Sequence, residues 1–251
     1  MTQQPPLAIR LDTEGECPHC GRPLLTLAQD RCDGCGLSIA DVFETLPSVA
    51  SRLEEIAPGW TVERLKAWAA PRPAQLASAY RSRQWKNLGW WADEELWEHW
   101  ARMEMSLRGR GKGLQLDKVD VTHVQVAGLG QSHAAVDLRI TGTREAFLYY
   151  PESGMRVRHT EEDFPTFQEL WTLRPTGTVW PSELPPCASC GAGLPFEAAA
   201  CEHCRTPVDP KPGPWKVTQV WPLDVRGEVI PPRPGSGGGL FDYMVDALLR
   251  D

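Results

Sequence analysis

The chain has 251 residues, 41% of them apolar, enough for one medium domain with its own core and some smaller modules. A formal net charge of −7 argues against general affinity for nucleic acid or anionic membrane surfaces. No apolar run approaches the roughly 18 residues that span a bilayer, and residues 1–15 lack a basic stretch followed by an apolar one, so a soluble, cytoplasmic protein is expected.

All eight cysteines occur in CxxC pairs. In a reducing compartment such pairs mean metal or redox chemistry rather than structural disulfides. A first module is predicted over residues 11–40, where Cys17-Pro-His-Cys20-Gly is followed after eleven residues by Cys32-Asp-Gly-Cys35-Gly. Two residues inside each pair let a tight turn aim both sulfurs at one ion, and Gly21 and Gly36 can take the positive φ that such a turn needs. Four thiolates complete a tetrahedron and leave no position for substrate, so a structural zinc ribbon is expected; His19 could stand in for one cysteine. A thioredoxin-like redox pair would need a βαβ context that is absent.

The main domain is predicted over residues 47–182 and 214–225, helices first. Residues 48–56 read as a short helix stopped by Pro58-Gly59. Residues 61–70 place Val62, Leu65, Trp68 and Ala69 on one face. Pro71 and Pro73 are expected to end that helix, and another from Ala74 carries Leu76 and Tyr80 and extends toward Leu88. Asp93 is a predicted N-cap, with Glu94 and Glu95 in the first turn, followed by a core stripe of Leu96, Trp97, Trp100, Met103 and Leu107. Seven of the eleven tryptophans lie between Trp60 and Trp100, which suggests a large aromatic core or an aromatic-lined groove. Arg108-Gly-Arg-Gly-Lys-Gly113 resembles a phosphate loop only superficially, with no strand before it, and reads as a solvated turn.

Strands follow. Leu114, Leu116, Val124 and Val126 share one parity while Val119 and Val121 take the other, so a bulge is expected near His123. Val136, Leu138 and Ile140 alternate as a half-buried strand, with Asp137 and Arg139 toward solvent; residues 146–150 are apolar on both faces, as in a central strand. Phe167, Trp171 and Leu173 on the way into a hairpin, and Trp215, Val217, Trp221 and Leu223 on the way out, predict two paired strands. Helices followed by an antiparallel sheet make an α+β fold. Glu169 shares the face of Phe167 and Trp171. A carboxylate among aromatics could serve as a base, and the alternative is a buried glutamate satisfied by arginine or backbone N–H groups. Asp120 and His123 could join such a site; His99, His133 and His159 have no recognisable partners.

Inside that hairpin, residues 183–213 carry a second ribbon, Cys187-Ala-Ser-Cys190-Gly and Cys201-Glu-His-Cys204, ten residues apart, which predicts a second structural zinc. Residues 226–239 read as a Pro/Gly linker, and residues 240–251 as a short amphipathic segment. Leu240, Phe241, Met244 and Leu248 on its apolar side are candidate docking residues, for a partner groove or for the main domain itself.

Phe167-x-Glu169-x-Trp171-Thr172, within the run 147–171 and followed by Trp215-x-Val217-x-x-Val220, resembles the C-terminal domain of the mitochondrial import-motor membrane anchor. Bacteria carry relatives of that domain, some with a CPxCG ribbon in this hairpin. The resemblance covers residues 47–223. It implies a cone, a curved antiparallel sheet with helices in its concave face, similar to the nuclear transport factor two superfamily. It also implies a pocket at the mouth of the cone, for which Glu169, Trp171, Phe167 and Trp100 are the candidate lining. The mitochondrial members dock to the inner membrane and to import-motor proteins. Here a ribbon stands where they have a long basic N-terminal region, which leaves those two roles open. The expected function is that of a non-enzymatic, zinc-containing adaptor for a protein partner. The alternatives are an enzyme or small-molecule carrier using the cone pocket, and a nucleic-acid-associated ribbon protein.

Overall fold

The computed structural model describes residues 32, 34–36, 47–129, 134–157, 166–177, 186–194, 200–207, 213–223 and 230. Cys17, Cys20, His133, His159 and the segment holding Leu240, Phe241, Met244 and Leu248 lie outside these. Among the described residues four α-helices precede four strands: α1 (Pro47–Ile56), α2 (Val62–Ala69), α3 (Arg72–Ser82), α4 (Glu94–Gly109), β1 (Gly113–Leu129), β2 (Val136–Tyr149), β3 (Thr166–Pro175) and β4 (Trp215–Pro222). The strands form one antiparallel sheet in the order β1-β2-β3-β4. The α+β class expected from the sequence is therefore present.

Local chemistry accounts for the helix ends. The Thr61 hydroxyl accepts from the Arg64 N–H at 3.2 Å and caps α2, and the Asp93 carboxylate accepts from the Glu94 N–H at 2.7 Å and caps α4. Val62, Leu65, Trp68 and Ala69 are all buried, as their spacing predicts. Pro73 does not terminate a helix. It lies in the first turn of α3, where its missing N–H has no helical partner to lose. That helix ends at Arg83, held left-handed at φ 58, so Leu88 sits in a separate 3-10 turn, Trp85–Leu88.

One face of the sheet and the inner faces of the helices share a single apolar core, including Leu114, Leu116, Val136, Leu138, Ile140, Ala146, Leu148, Phe167, Trp171, Leu173, Trp215 and Val217. Tryptophans organise it. Trp91 stacks on Trp171, with centroids 5.7 Å apart and planes 11° apart, and leans on Trp100 at 6.2 Å; Trp60 meets Trp215 edge-on at 5.7 Å. The Arg72 guanidinium lies between Trp68 and Trp90, 4.8 and 4.1 Å from their centroids.

β1 has irregular register at three places, between Asp117 and Asp120, between Val121 and His123, and between Val126 and Gly128, which includes the bulge expected near His123. β2 is one continuous central strand, where the sequence suggested two apolar stretches. Gly142 bridges them, because a Cβ there would come within 2.3 Å of the Asp120 carbonyl and 2.8 Å of the Phe167 ring. Asp137 and Arg139 are half-buried on the sheet's other face rather than turned to solvent. Asp137 accepts a 2.7 Å hydrogen bond from the Thr172 hydroxyl, and burial pushes its carboxyl above the usual range, with Thr172 opposing. That face carries a second apolar cluster of Ala127, Leu170, Trp221 and Leu223.

The outer edge of β4 is covered by the chain leading into α4. Val217 N–H donates to Trp91 at 2.7 Å, Asp93 N–H donates back to Val217 at 2.9 Å, and Gly213 N–H donates to Trp90 at 2.6 Å. The Lys216 ammonium donates to the carbonyls of Gly89 and Ala92, and burial lowers its pKa. The β3–β4 hairpin is thus tied to the sheet on one side and to the α3–α4 connection on the other.

Candidate metal centre

The hairpin carries its insert beyond Thr176 and Gly213. The Thr176 N–H donates to Pro214 at 2.9 Å and its hydroxyl to Gly213 at 2.8 Å, closing the base of the insert. Beyond this closure stand two tight turns. In the first, Gly191 N–H donates to the Cys187 carbonyl at 2.8 Å, Ser189 N–H points at the Cys187 sulfur at 3.4 Å, and Gly191 is left-handed at φ 75. In the second, Arg205 N–H donates to the Cys201 carbonyl at 2.7 Å and Arg205 is left-handed at φ 59. Short antiparallel bridges, Pro186 with Gly193 and Ala200 with Pro207, close both turns.

The two turns converge on four sulfurs. Sγ of Cys187, Cys190, Cys201 and Cys204 all lie within 4.8 Å of one another. Cys187 faces Cys204 at 3.7 Å and Cys190 faces Cys201 at 3.6 Å. These are free thiols at close quarters, not disulfides. Cys187 and Cys201 are buried against Leu194 in a small apolar cluster of their own, whereas Cys190 and Cys204 reach the surface. The hydroxyl and N–H of Thr206 draw the Cys204 thiol down to about 6, with Oγ1 3.1 Å from the sulfur. A hydrogen bond from the Ala192 backbone pulls the Cys190 thiol down, but neighbouring sulfurs, Cys204 foremost, and desolvation outweigh it and push this thiol up to about 12. Four sulfurs so placed resist full ionisation unless a cation compensates their charge, and the group can hold a metal ion.

The same turn occurs once more. Gly36 N–H donates to the Cys32 carbonyl at 2.8 Å, Gly34 N–H lies 3.3 Å from the Cys32 sulfur, and Gly36 is left-handed at φ 70. Cys32 and Cys35 are therefore in the conformation of Cys187 and Cys190. Cys17 and Cys20, the other expected ligands of that module, lie outside the described residues.

Glu169, the candidate base, is on the inner face beside Phe167 and Trp171, 1% exposed. Both carboxylate oxygens are engaged: Oε1 accepts from Arg144, and Oε2 accepts from the Trp171 indole N–H at 2.7 Å. Arg144 lies over the Phe167 ring at 4.5 Å. This geometry matches the alternative of an arginine-satisfied buried glutamate. Trp100 is 1% exposed and packed against Trp91 within the core. A second buried carboxylate, Glu104, pairs with Arg108, which also donates to the Tyr149 hydroxyl at 2.9 Å. Tyr80, buried close to both pairs, has its hydroxyl pKa raised by burial first and by Glu104 second, against Arg144. His123 is exposed on β1.

The sequence reading missed Arg144, although it shares the parity of Val136, Leu138, Ile140, Ala146 and Leu148 and so belongs on the inner face. It also missed Thr206, whose only signal is that it lies two residues past Cys204. Among the described residues no helix is long and apolar enough to cross a membrane. The chain matches no protein-family model and no curated protein.

Proposed function

We propose that this protein is a non-enzymatic adaptor of the cytoplasm, in which an α+β domain presents structural zinc ribbons to a protein partner. The observation that carries the reading is the four-sulfur cluster at the tip of the β3–β4 hairpin. Zinc–thiolate bonds of about 2.3 Å give a tetrahedron with edges of about 3.8 Å. The 3.6 and 3.7 Å sulfur pairs match that edge. A four-thiolate donor set fits zinc and leaves no open position for substrate, so the centre braces structure. The left-handed turn at Gly36 supports an equivalent site in the N-terminal module, completed by Cys17 and Cys20. The full commitment of Glu169 to Arg144 and Trp171 favours binding over catalysis.

The main domain, in this reading, is a cone similar to the C-terminal domain of the mitochondrial import-motor anchor, as a bacterial relative. In support, four helices precede a four-stranded antiparallel meander, and Phe167, Trp171, Trp215, Val217 and Val220 all enter its core. The hairpin that leads into the ribbon is itself tied on both sides to the main domain.

Capture of partners from native lysate by the intact chain and by a Cys187→Ser/Cys201→Ser variant tests this, each first assayed for bound zinc and for retained helix content. A partner enriched by the intact chain and lost by the variant supports the adaptor. Equal recovery by both contradicts it.

A further inference from the structure

Two close sulfur pairs of the insert cross from one CxxC turn to the other. Cys187 faces Cys204 and Cys190 faces Cys201, so each pair joins one turn to the other and a buried sulfur to an exposed one. Exposure gives an oxidant access to Cys190 and Cys204. A buried sulfur stands within 3.7 Å of each exposed one, ready to resolve it.

We infer that this centre responds to peroxide: attack at the exposed sulfurs of Cys204 and Cys190 leads to Cys187–Cys204 and Cys190–Cys201 disulfides and release of the ion. The inference rests on the reading of the cluster as a zinc site. The Cys204 thiolate attacks one oxygen of hydrogen peroxide or an alkyl hydroperoxide; the O–O bond breaks, the sulfur becomes a sulfenic acid, and the other oxygen leaves as hydroxide or alkoxide. The Cys187 thiolate then displaces hydroxide from the Cys204 sulfur, forming the S–S bond. A second peroxide does the same at Cys190 with Cys201. Each thiolate pair gives up two electrons to one peroxide as its disulfide forms. Zinc keeps its charge and departs because disulfide sulfurs are poor donors. Bridges across the two turns keep them joined after the ion has gone, whereas bridges within each CxxC pair would leave them unconnected.

The experiment uses the zinc-loaded full-length chain treated with increasing hydrogen peroxide. Zinc release is followed with a chromogenic chelator, and disulfides are mapped by proteolysis and mass spectrometry. The expected products are linked peptides joining Cys187 to Cys204 and Cys190 to Cys201, appearing with the released zinc. Zinc held against peroxide, disulfides confined to Cys187–Cys190 and Cys201–Cys204, or sulfinic acids without disulfides would each overturn the inference while leaving the zinc reading standing. A chain that carries no zinc when purified brings down both.

Discussion

Arg144 and Glu169 form an ion pair 6% and 1% exposed in the core between β2 and β3. Such a pair contributes little relative to an apolar pair of the same volume, but removing one partner strands the other charge away from water. Arg144→Ala should therefore cost about 3–5 kcal/mol, read as a lower denaturation midpoint in urea, whereas Arg144→Met with Glu169→Leu should recover most of that loss. A double variant as unstable as the single one would show that the pair is not the cause. Asp137 makes the opposite prediction. Because burial raises its folded pKa above the unfolded value, the native state holds its proton longer, and stability falls as pH rises through that window. Asp137→Asn can still accept from Thr172. It should match the wild type in acid and be more stable at neutral pH, in melts taken across that range. The sequence placed Glu169 on the correct face because parity is local information. It could not identify Arg144 as the partner, because parity does not say how far a long side chain reaches past Gly142.

At the scale of elements, the helix N-termini were the most legible features. Asp93 with Glu94 and Glu95, and Thr61 ahead of the Val62 stripe, announce their helices through capping chemistry alone. Asp93→Ala should destabilise the domain by about 1 kcal/mol, and Asp93→Asn by less, measured by chemical denaturation. Equal losses would assign the effect to charge rather than to the cap. Pro73 misled because the same residue ends a helix or begins one depending on its position, and only the preceding backbone decides. The continuity of β2 was hidden by Gly142 and Arg144, which interrupt the apolar alternation without ending the strand. The turns around the cysteines were readable from spacing together with Gly36 and Gly191. Arg205 was not, since an arginine rarely takes the left-handed conformation it holds here.

For the whole molecule, two apolar clusters matter: the large tryptophan-rich core of helices and sheet, and the small one formed by Cys187, Leu194 and Cys201. The small cluster is too slight to order the insert alone, so the proposed ion supplies its stability, whereas the main core does not depend on it. A strong chelator at neutral pH should open the insert to limited proteolysis while leaving the near-ultraviolet signal of the buried tryptophans intact. Loss of both together would tie the core to the ion. The central claim, a zinc ion held by Cys187, Cys190, Cys201 and Cys204, is tested most directly by the zinc-to-protein ratio under native mass spectrometry. The account predicts about two zinc ions per intact chain and about one in Cys187→Ser/Cys201→Ser. A ratio unchanged by these substitutions, or an intact chain without zinc, would contradict it.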